Sequence, residues 1–341
     1  FQLRNHCWAR RVVHREGRAE GVIYMDENGR ETLQPAAIVI LAALTPHNTR
    51  LLLLSGIGEP YDPLTGRGTL GKNLTHQVTA DGGALVVHAE PLNSFMTSGA
   101  LGYNFADFDG DRAIDLKWGI LRGGTFGRGT SPGELPITSF GHIPLEKGQR
   151  NWGAEWKKTS IQLWDRISTG NGFRGDHLAY RQNFMDLDPT YTDRWGDPLL
   201  RMTLDWTPHE HRQMAFGKAI SSQLAQEIAR ITKAKLILPH NSGETSTPAL
   251  ETAHPPKLPR YSAASYSTTH IQGGAIMGQS PENSVVNTFL QHWQMPNLWV
   301  IGSSSFPQNS SGNPTLTILA VTYRAADALV NQYLKRPGML S

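Results

Sequence analysis

The stretch AAIVILAAL, Ala36 to Leu44, runs without one polar residue. A strand with one wet face alternates, so a continuous apolar run predicts a strand covered on both faces, as in parallel sheets. TPHNTRLLLLSG follows at once and reads as a short helix that stops at Gly56. A strand without a polar face, then a helix, predicts an α/β chain. Upstream the pattern is simpler. CWARRVVH alternates, REGRAEG turns, GVIYMD is a second strand, and Asn28-Gly29 is a hairpin signal.

The bulk numbers set the frame. The chain has 341 residues, 39% of them hydrophobic and only 18% charged, so it can bury a large core and is not a disordered segment. Length favours two domains. Net charge is +3 with no Lys/Arg block, so no nucleic-acid partner is expected. The single cysteine, Cys7, permits neither an internal disulfide nor a Cys-based zinc site. AAIVILAAL and LLLLSGIG are too short to span a bilayer. The first residue is Phe1 and no signal-like region follows, which predicts the body or tail of something longer.

From about 60 to 260 the texture is rich in Gly, Trp and Asp, and reads as irregular strands and turns. One clear helix stands out, HEHRQMAFGKAISSQLAQEIARIT, with Met214, Ile220, Leu224 and Ile228 on one face. HNSGETSTPALETAHPPKLP reads as a loop, a lid or a linker. From Tyr261 order returns: a short apolar strand at Leu298–Ile301, then small residues, then a helix from Pro314 to about Leu334. Small residues after a central strand leave room at its carboxyl edge, where open α/β sheets bind ligands.

Two stretches carry candidate chemistry. In SSSFPQNSSGNPTLTILAV, Asn313 sits where an N-cap would sit and Pro314 where a first helical residue would. An ordinary capped helix explains both. A ligand-facing helix explains them as well, because Gly312 removes a side chain where a ligand could meet backbone, and a helix N-terminus favours an anion. In THIQGGAIMGQ, His270 stands beside Gly273-Gly274. It reads either as a satisfied structural histidine or as a base for a hydroxyl proton.

Taken in order, His270, Gly-Gly-x-x-Met-Gly, WVIGSSSFP and Gly-Asn-Pro-Thr resemble the C-terminal part of the glucose–methanol–choline (GMC) oxidoreductases. EGVIYMDENGRETLQPAAIVILAAL, NTRLLLLSGIGEPYDPLTGRGTLGKNLTHQ, DLDPTYTDRWGDPLLRMTLDW and YLKRPG resemble the flavoprotein large subunits of gluconate 2-dehydrogenase, fructose dehydrogenase and sorbitol dehydrogenase. The resemblance implies an α/β FAD-binding fold: residues 1–60 and 261–341 in the FAD-binding domain, and 61–260 in a substrate domain with a mainly antiparallel sheet.

The same resemblance implies FAD as cofactor and oxidation of a sugar, sugar acid or polyol hydroxyl. His270 falls on the catalytic histidine and Asn313 on its His-or-Asn partner. Gly302 and Ser303 match a turn near the flavin, and Pro314 and Thr315 a helix start under the ring. Ala9 matches a position at the adenine, and Ala42 and Ala43 a strand end beside the cofactor. No metal is implied at these positions. A small subunit and a membrane cytochrome c are implied as partners, with a periplasmic location at the inner membrane.

Two departures stand out. Leu44 occupies a position where many members have Gly, and no strand–Gly-x-Gly-x-x-Gly–helix fingerprint is found in these residues. The second raises an alternative: an incomplete fragment, or one half of a split protein whose partner carries the dinucleotide segment.

Other features have plainer readings. Gly66, Gly68 and Gly71 spell Gly-x-Gly-x-x-Gly, but no strand precedes them and no helix follows. His209 and His211 sit two apart at a helix start, which suits capping better than metal binding. Asp107, Asp109 and Asp111 suit a turn better than a calcium loop. Asn73 and Asn309 begin glycosylation patterns, and Trp293 and Trp299 read as core.

Overall fold

The apolar run at 36–44 forms less strand than its composition allows. In this computed structural model, which describes residues 1–81, 85–91, 102–110, 118–129, 148–163, 166–169, 172–237 and 270–340, only Val39–Leu41 is extended ladder. Its first residues are spent elsewhere. Ala36 N–H donates to Glu20 O, and Asn297 Nδ2 donates to Ala37 O.

Three strands precede it as an antiparallel meander: β1 (Trp8–Arg15), β2 (Arg18–Met25) and β3 (Glu31–Pro35). β4 (Val39–Leu41) leads into α1 (Thr45–Leu54). A middle set follows, with β5 (Thr75–His76), β6 (Val78–Asp81), β7 (Leu85–Val87), β8 (Gly102–Phe105), β9 (Gly124–Gly129), α2 (Ala154–Leu163), β10 (Ile167–Thr169) and β11 (Gly172–Gly175). Then come β12 (Phe184–Thr192), β13 (Pro198–Thr203), α3 (Pro208–Thr232) and β14 (Lys235–Ile237). The chain closes with β15 (Ile271–Gln272), β16 (Gln291–His292), β17 (Met295–Val300) and α4 (Thr315–Ala328), which continues as a π-turn over Leu329–Tyr333. The loop expected at 240–259 lies outside the described residues.

Two cores hold this together. The first gathers Val12, Leu52 and Leu70 from early in the chain with Val286, Leu298, Trp299 and Tyr333 from late in it. Its spine is β4 paired parallel with β17, Ile40 opposite Trp299. The expectation of a strand covered on both faces fails at one point. Val39 and Leu41 are buried, but Ile40 is half exposed, as is Leu319 on α4, where Leu316 and Tyr323 are more exposed still. The second core lies in the middle of the chain. Val78, Phe126 and Phe173 from the antiparallel sheet β6-β11-β9-β8 pack with Trp206, Met214 and Phe216. α3 covers this sheet, and its start is fixed by a capping box: His209 N–H donates to Thr207 Oγ1, and Thr207 N–H donates to Glu210 Oε2.

Neither candidate histidine of the α3 start serves as a cap. His209 Nε2 accepts from Leu121 N–H at 2.9 Å, and His209 Nδ1 faces Glu210 Oε1 at 3.1 Å. The three glycines at 66–71 have a packing reason. A Cβ at Gly68 would stand 2.1 Å from Pro60 O, and one at Gly71 would stand 2.0 Å from Met185 O. Gly68 and Gly71 let backbones touch in a connecting loop, whereas Gly66 faces only the Arg181 side chain.

Leu44 ends the apolar run in a conformation that suits glycine, with φ 67 and ψ 156. Side chains beyond Gly pay roughly 1–3 kcal/mol to sit in such a region. Leu44→Gly is therefore expected to stabilise the chain by about 1 kcal/mol after the flexibility of the unfolded glycine is subtracted. Leu44→Ala keeps the strain and is expected to give no gain. Urea unfolding of the two variants separates them.

Burial also sets the acid response. His177 is fully enclosed and meets Trp206 with ring centroids 4.7 Å apart, and His292 is buried beside the meander. Burial pushes both imidazoles down to about 4, from an ordinary value of 6.5. As pH falls below 6.5 the unfolded chain takes up these protons before the folded one. Their contribution is therefore full above that pH and is lost towards pH 4. Denaturant midpoints measured from pH 7 to 4.5 should fall, and the fall should be shallower in His177→Gln.

Candidate functional site

The site opens where β4 and β17 end. Parallel pairing sends both strands out on the same edge, followed by Ala42-Ala43-Leu44 and by Ile301-Gly302-Ser303. The first turn of α1 ties these exits together. Asn48 Oδ1 accepts from Ala43 N–H at 2.8 Å, while its Nδ2 donates to Ile301 O at 2.9 Å and to Ser304 Oγ at 3.0 Å. Thr45 Oγ1 donates to Ile271 O at 2.9 Å and lies 2.7 Å from Ser303 Oγ. Thr45 has one hydroxyl proton, so Ser303 is the donor in that second contact.

The segment carrying His270 is laid along the same edge. β15 pairs antiparallel with β5, Ile271 opposite His76. Gly273 N–H, Ala275 N–H and Met277 N–H then donate in turn to the carbonyls of Ser303, Ser304 and Ser305. Gly273 has φ +96, and a Cβ there would lie 1.8 Å from Asn73 O, so no larger residue fits. This pairing sets His270 beside Gln77: His270 Nδ1 lies 2.6 Å from Gln77 Oε1. Burial, and then the positive charge of Arg174, hold the His270 imidazole below its ordinary pKa. The ring is therefore neutral at neutral pH and open to a proton.

Asn313 is reached through the loop before it. Gln77 Nε2 faces the carbonyls of Ser310, Ser311 and Gly312 at 3.3, 2.9 and 3.2 Å. Asn309 Nδ2 donates to His270 O at 2.9 Å, and Asn73 Nδ2 donates to Pro307 O at 2.9 Å. From the other side, Ser311 N–H donates to Asp176 Oδ1 at 2.6 Å and Ser311 Oγ donates to Asp109 Oδ1 at 2.8 Å. Asp176 is almost wholly buried and pairs with Arg122; burial raises its carboxyl pKa. Asp109 thus serves a turn and a loop clamp, and Asp111 lies outside the described residues. The buried Asn309 has no room for a glycan.

One expectation is corrected here. Pro314, not Asn313, is the cap residue of α4, and no side chain caps that helix. Asn313 is exposed, and its side chain makes no hydrogen bond among the described residues. The amide is thus free for a ligand, as a capping amide would not be.

The other candidates fall into place by exposure. Ala42 and Ala43 are exposed beyond β4, and Thr315 is exposed on the first turn of α4; Pro314 and Ser303 are buried. Gly302 has φ +107, and a Cβ on it or on Gly312 would meet nothing within 4 Å. Ala9 is exposed on β1 of the meander, and no hydrogen bond joins it to the His270 cluster among the described residues. Small side chains, two open glycines and an uncapped helix start fit a flat, anionic cofactor against backbone. Among the described residues no group of three or more His, Cys, Asp or Glu could hold a metal.

Sequence reading missed Gln77, Asn48, Thr45, Asp176 and Arg174. Gln77 is 193 residues from His270, and no local spacing links them.

Residues 179–322 match the family model described as GMC oxidoreductase, C-terminal domain. The chain is 37% identical, over its full length, to 52% of the gluconate 2-dehydrogenase flavoprotein of Pantoea cypripedii. Over 97% of its length it is 28% identical to 54% of the 2-methyl-1,2-propanediol dehydrogenase of Mycolicibacterium austroafricanum. It spans about half the length of these curated relatives. The fold resembles pyridoxine 4-oxidase from Mesorbium loti, with a TM-score of 0.57, 15% identity, and 97% of this chain against 58% of that one. It also resembles an Aspergillus oryzae formate oxidase, with a TM-score of 0.55, 14% identity, and 96% of this chain against 60% of that one. The chain thus carries a GMC oxidoreductase C-terminal domain over residues 179–322 and is similar along its whole length to a flavoprotein; the GMC oxidoreductases are a family of FAD-dependent flavoproteins.

Proposed function

We propose that this chain supplies the substrate-facing half of an FAD-dependent dehydrogenase for the hydroxyl of a sugar, sugar acid or polyol. The observation that carries this is the joining of His270 to the loop of Asn313 through one buried side chain at the open edge of β4 and β17. His270 accepts the hydroxyl proton, because burial and Arg174 keep its ring neutral. Asn313 orients the alcohol oxygen with an amide that no neighbour claims among the described residues. Bound at Gly302, Ser303, Pro314 and Thr315, FAD supplies the hydride acceptor. The uncapped start of α4 favours negative charge next to it.

Arg174 narrows the substrate class. On β11 it alternates with the buried Phe173, so it faces away from that core, and its register partner Thr125 touches Ser311 O. A cation over this edge favours a substrate carrying a carboxylate. Sugar acids are therefore the preferred members of the class.

A second reading concerns completeness. Leu316 is 79% exposed and Tyr323 76% exposed on a helix whose sequence is apolar. Seven residues apart, they lie on one side of that helix, and this side suits a covering unit. That unit, we infer, carries the dinucleotide fingerprint and completes the FAD site. We further propose a small subunit and a membrane cytochrome c at the periplasmic face as partners; a fructose dehydrogenase relative from Gluconobacter japonicus is a large subunit, which supports a multi-subunit assembly.

In the flavin-loaded protein, His270→Ala and Asn313→Ala should each lower turnover by about 100-fold or more while the yellow flavin spectrum persists. Unchanged turnover would remove the proposal. Arg174→Gln should lower kcat/KM for a sugar acid by about tenfold and leave a neutral polyol unaffected. The same change removes a charge that lowers the His270 pKa, so the acid limb of the pH–rate profile should move to higher pH.

A further inference from the structure

The side chain of Gln77 is almost wholly buried, and both ends of its amide are engaged. Its orientation is fixed by the loop. Nε2 faces three carbonyl oxygens, of Ser310, Ser311 and Gly312, at 3.3, 2.9 and 3.2 Å. The reversed amide would set an oxygen against all three, with no proton between them, and bury that repulsion. Oε1 therefore points at His270 Nδ1, 2.6 Å away.

An amide oxygen only accepts, so Nδ1 must carry the proton. In a neutral imidazole the other nitrogen is then bare. We propose that Gln77 is a positioning residue: it holds His270 in the tautomer whose Nε2 can take a proton, and through the same amide it sets the loop that delivers Asn313. The base and its amide partner are thereby placed by one group. Three neighbours reinforce this arrangement. Gln77 N–H donates to His270 O at 3.4 Å, Asn309 holds the same carbonyl at 2.9 Å, and Asp176 holds Ser311 from the opposite side at 2.6 Å.

Glutamate would not substitute. Its second carboxylate oxygen would meet the carbonyls that the amide N–H groups now satisfy. A shorter Asn would not span the gap. The role thus needs both a donor and an acceptor at this reach.

The assignment rests on His270 being the proton acceptor, and its test is separate from turnover. Ring nitrogens of a 15N-labelled chain are observed by NMR, with the His270 signals identified by their loss in His270→Gln. The expected spectrum shows a protonated Nδ1 and a bare Nε2. In Gln77→Met the acceptor is gone, and the proton should move to Nε2. A wild-type ring protonated at Nε2 alone would overturn the proposal, and that spectrum decides the matter even if Gln77→Met fails to fold. A Gln77→Met ring still protonated at Nδ1 would overturn it too. In the flavin-loaded protein Gln77→Met should lower kcat by about 100-fold with KM little changed. An altered tautomer with unaltered kcat would also sink it. A normal tautomer in a protein where His270→Ala keeps full turnover would instead count against His270 as the base.

Discussion

Asn48 and Thr45 decide whether a site exists at all. Two strands that end side by side leave two loose chain exits, and their carbonyls and N–H groups need partners. The first turn of α1 provides them, binding Ala43, Ile301, Ser304, Ile271 and Ser303 through two short side chains. Both side chains are fully buried, so an amide or hydroxyl left without its partner there costs about 1–3 kcal/mol. The edge is stiff where a cofactor needs it stiff, and bare where a cofactor needs access. Gly302 shows the division well: it sits within this knot, yet nothing stands over its α-carbon.

A second clamp comes from the middle of the chain. The loop 309–312 is gripped by Gln77, Asp176 and Asp109, which arrive from three separate segments, and its own Asn309 reaches back to His270 O. Asp176 is the costliest of these. A buried carboxylate is held only because Arg122 and Ser311 N–H face it. That arrangement makes the antiparallel sheet a partner of the candidate-site loop. Substitutions at Arg122 or Asp176, which flank β9 and β11, are therefore expected to reach the site without touching it.

Much of this was legible in the chain, for identifiable reasons. The meander followed from alternation and from the turn at Glu16-Gly17, and α3 from its apolar stripe, whereas its Thr207–Glu210 capping box went unread. His270 and Asn313 were visible because each lies in a distinctive local string. Gln77, Asp176 and Arg174 were not, because their meaning is created by pairing across long separations. Gln77 sits in GKNLTHQ, whose glycine drew attention to backbone packing, and only the β5–β15 ladder gives its amide a purpose. The length of β4 was overread, since composition reports burial but not which carbonyls a neighbouring side chain has taken. Leu44 shows the reverse case: a departure from a family habit surfaced as a left-handed backbone at the same position.

The parallel pairing of β4 with β17 has a consequence for how the molecule is made. Val39 meets Leu298, and among the described residues no earlier strand pairs with β4. A ribosome must therefore release most of the polypeptide before its central ladder can zip, and until then the apolar stretch after the meander is an unshielded sticky tract. Chaperone demand during synthesis is thus written into the order in which the strands occur.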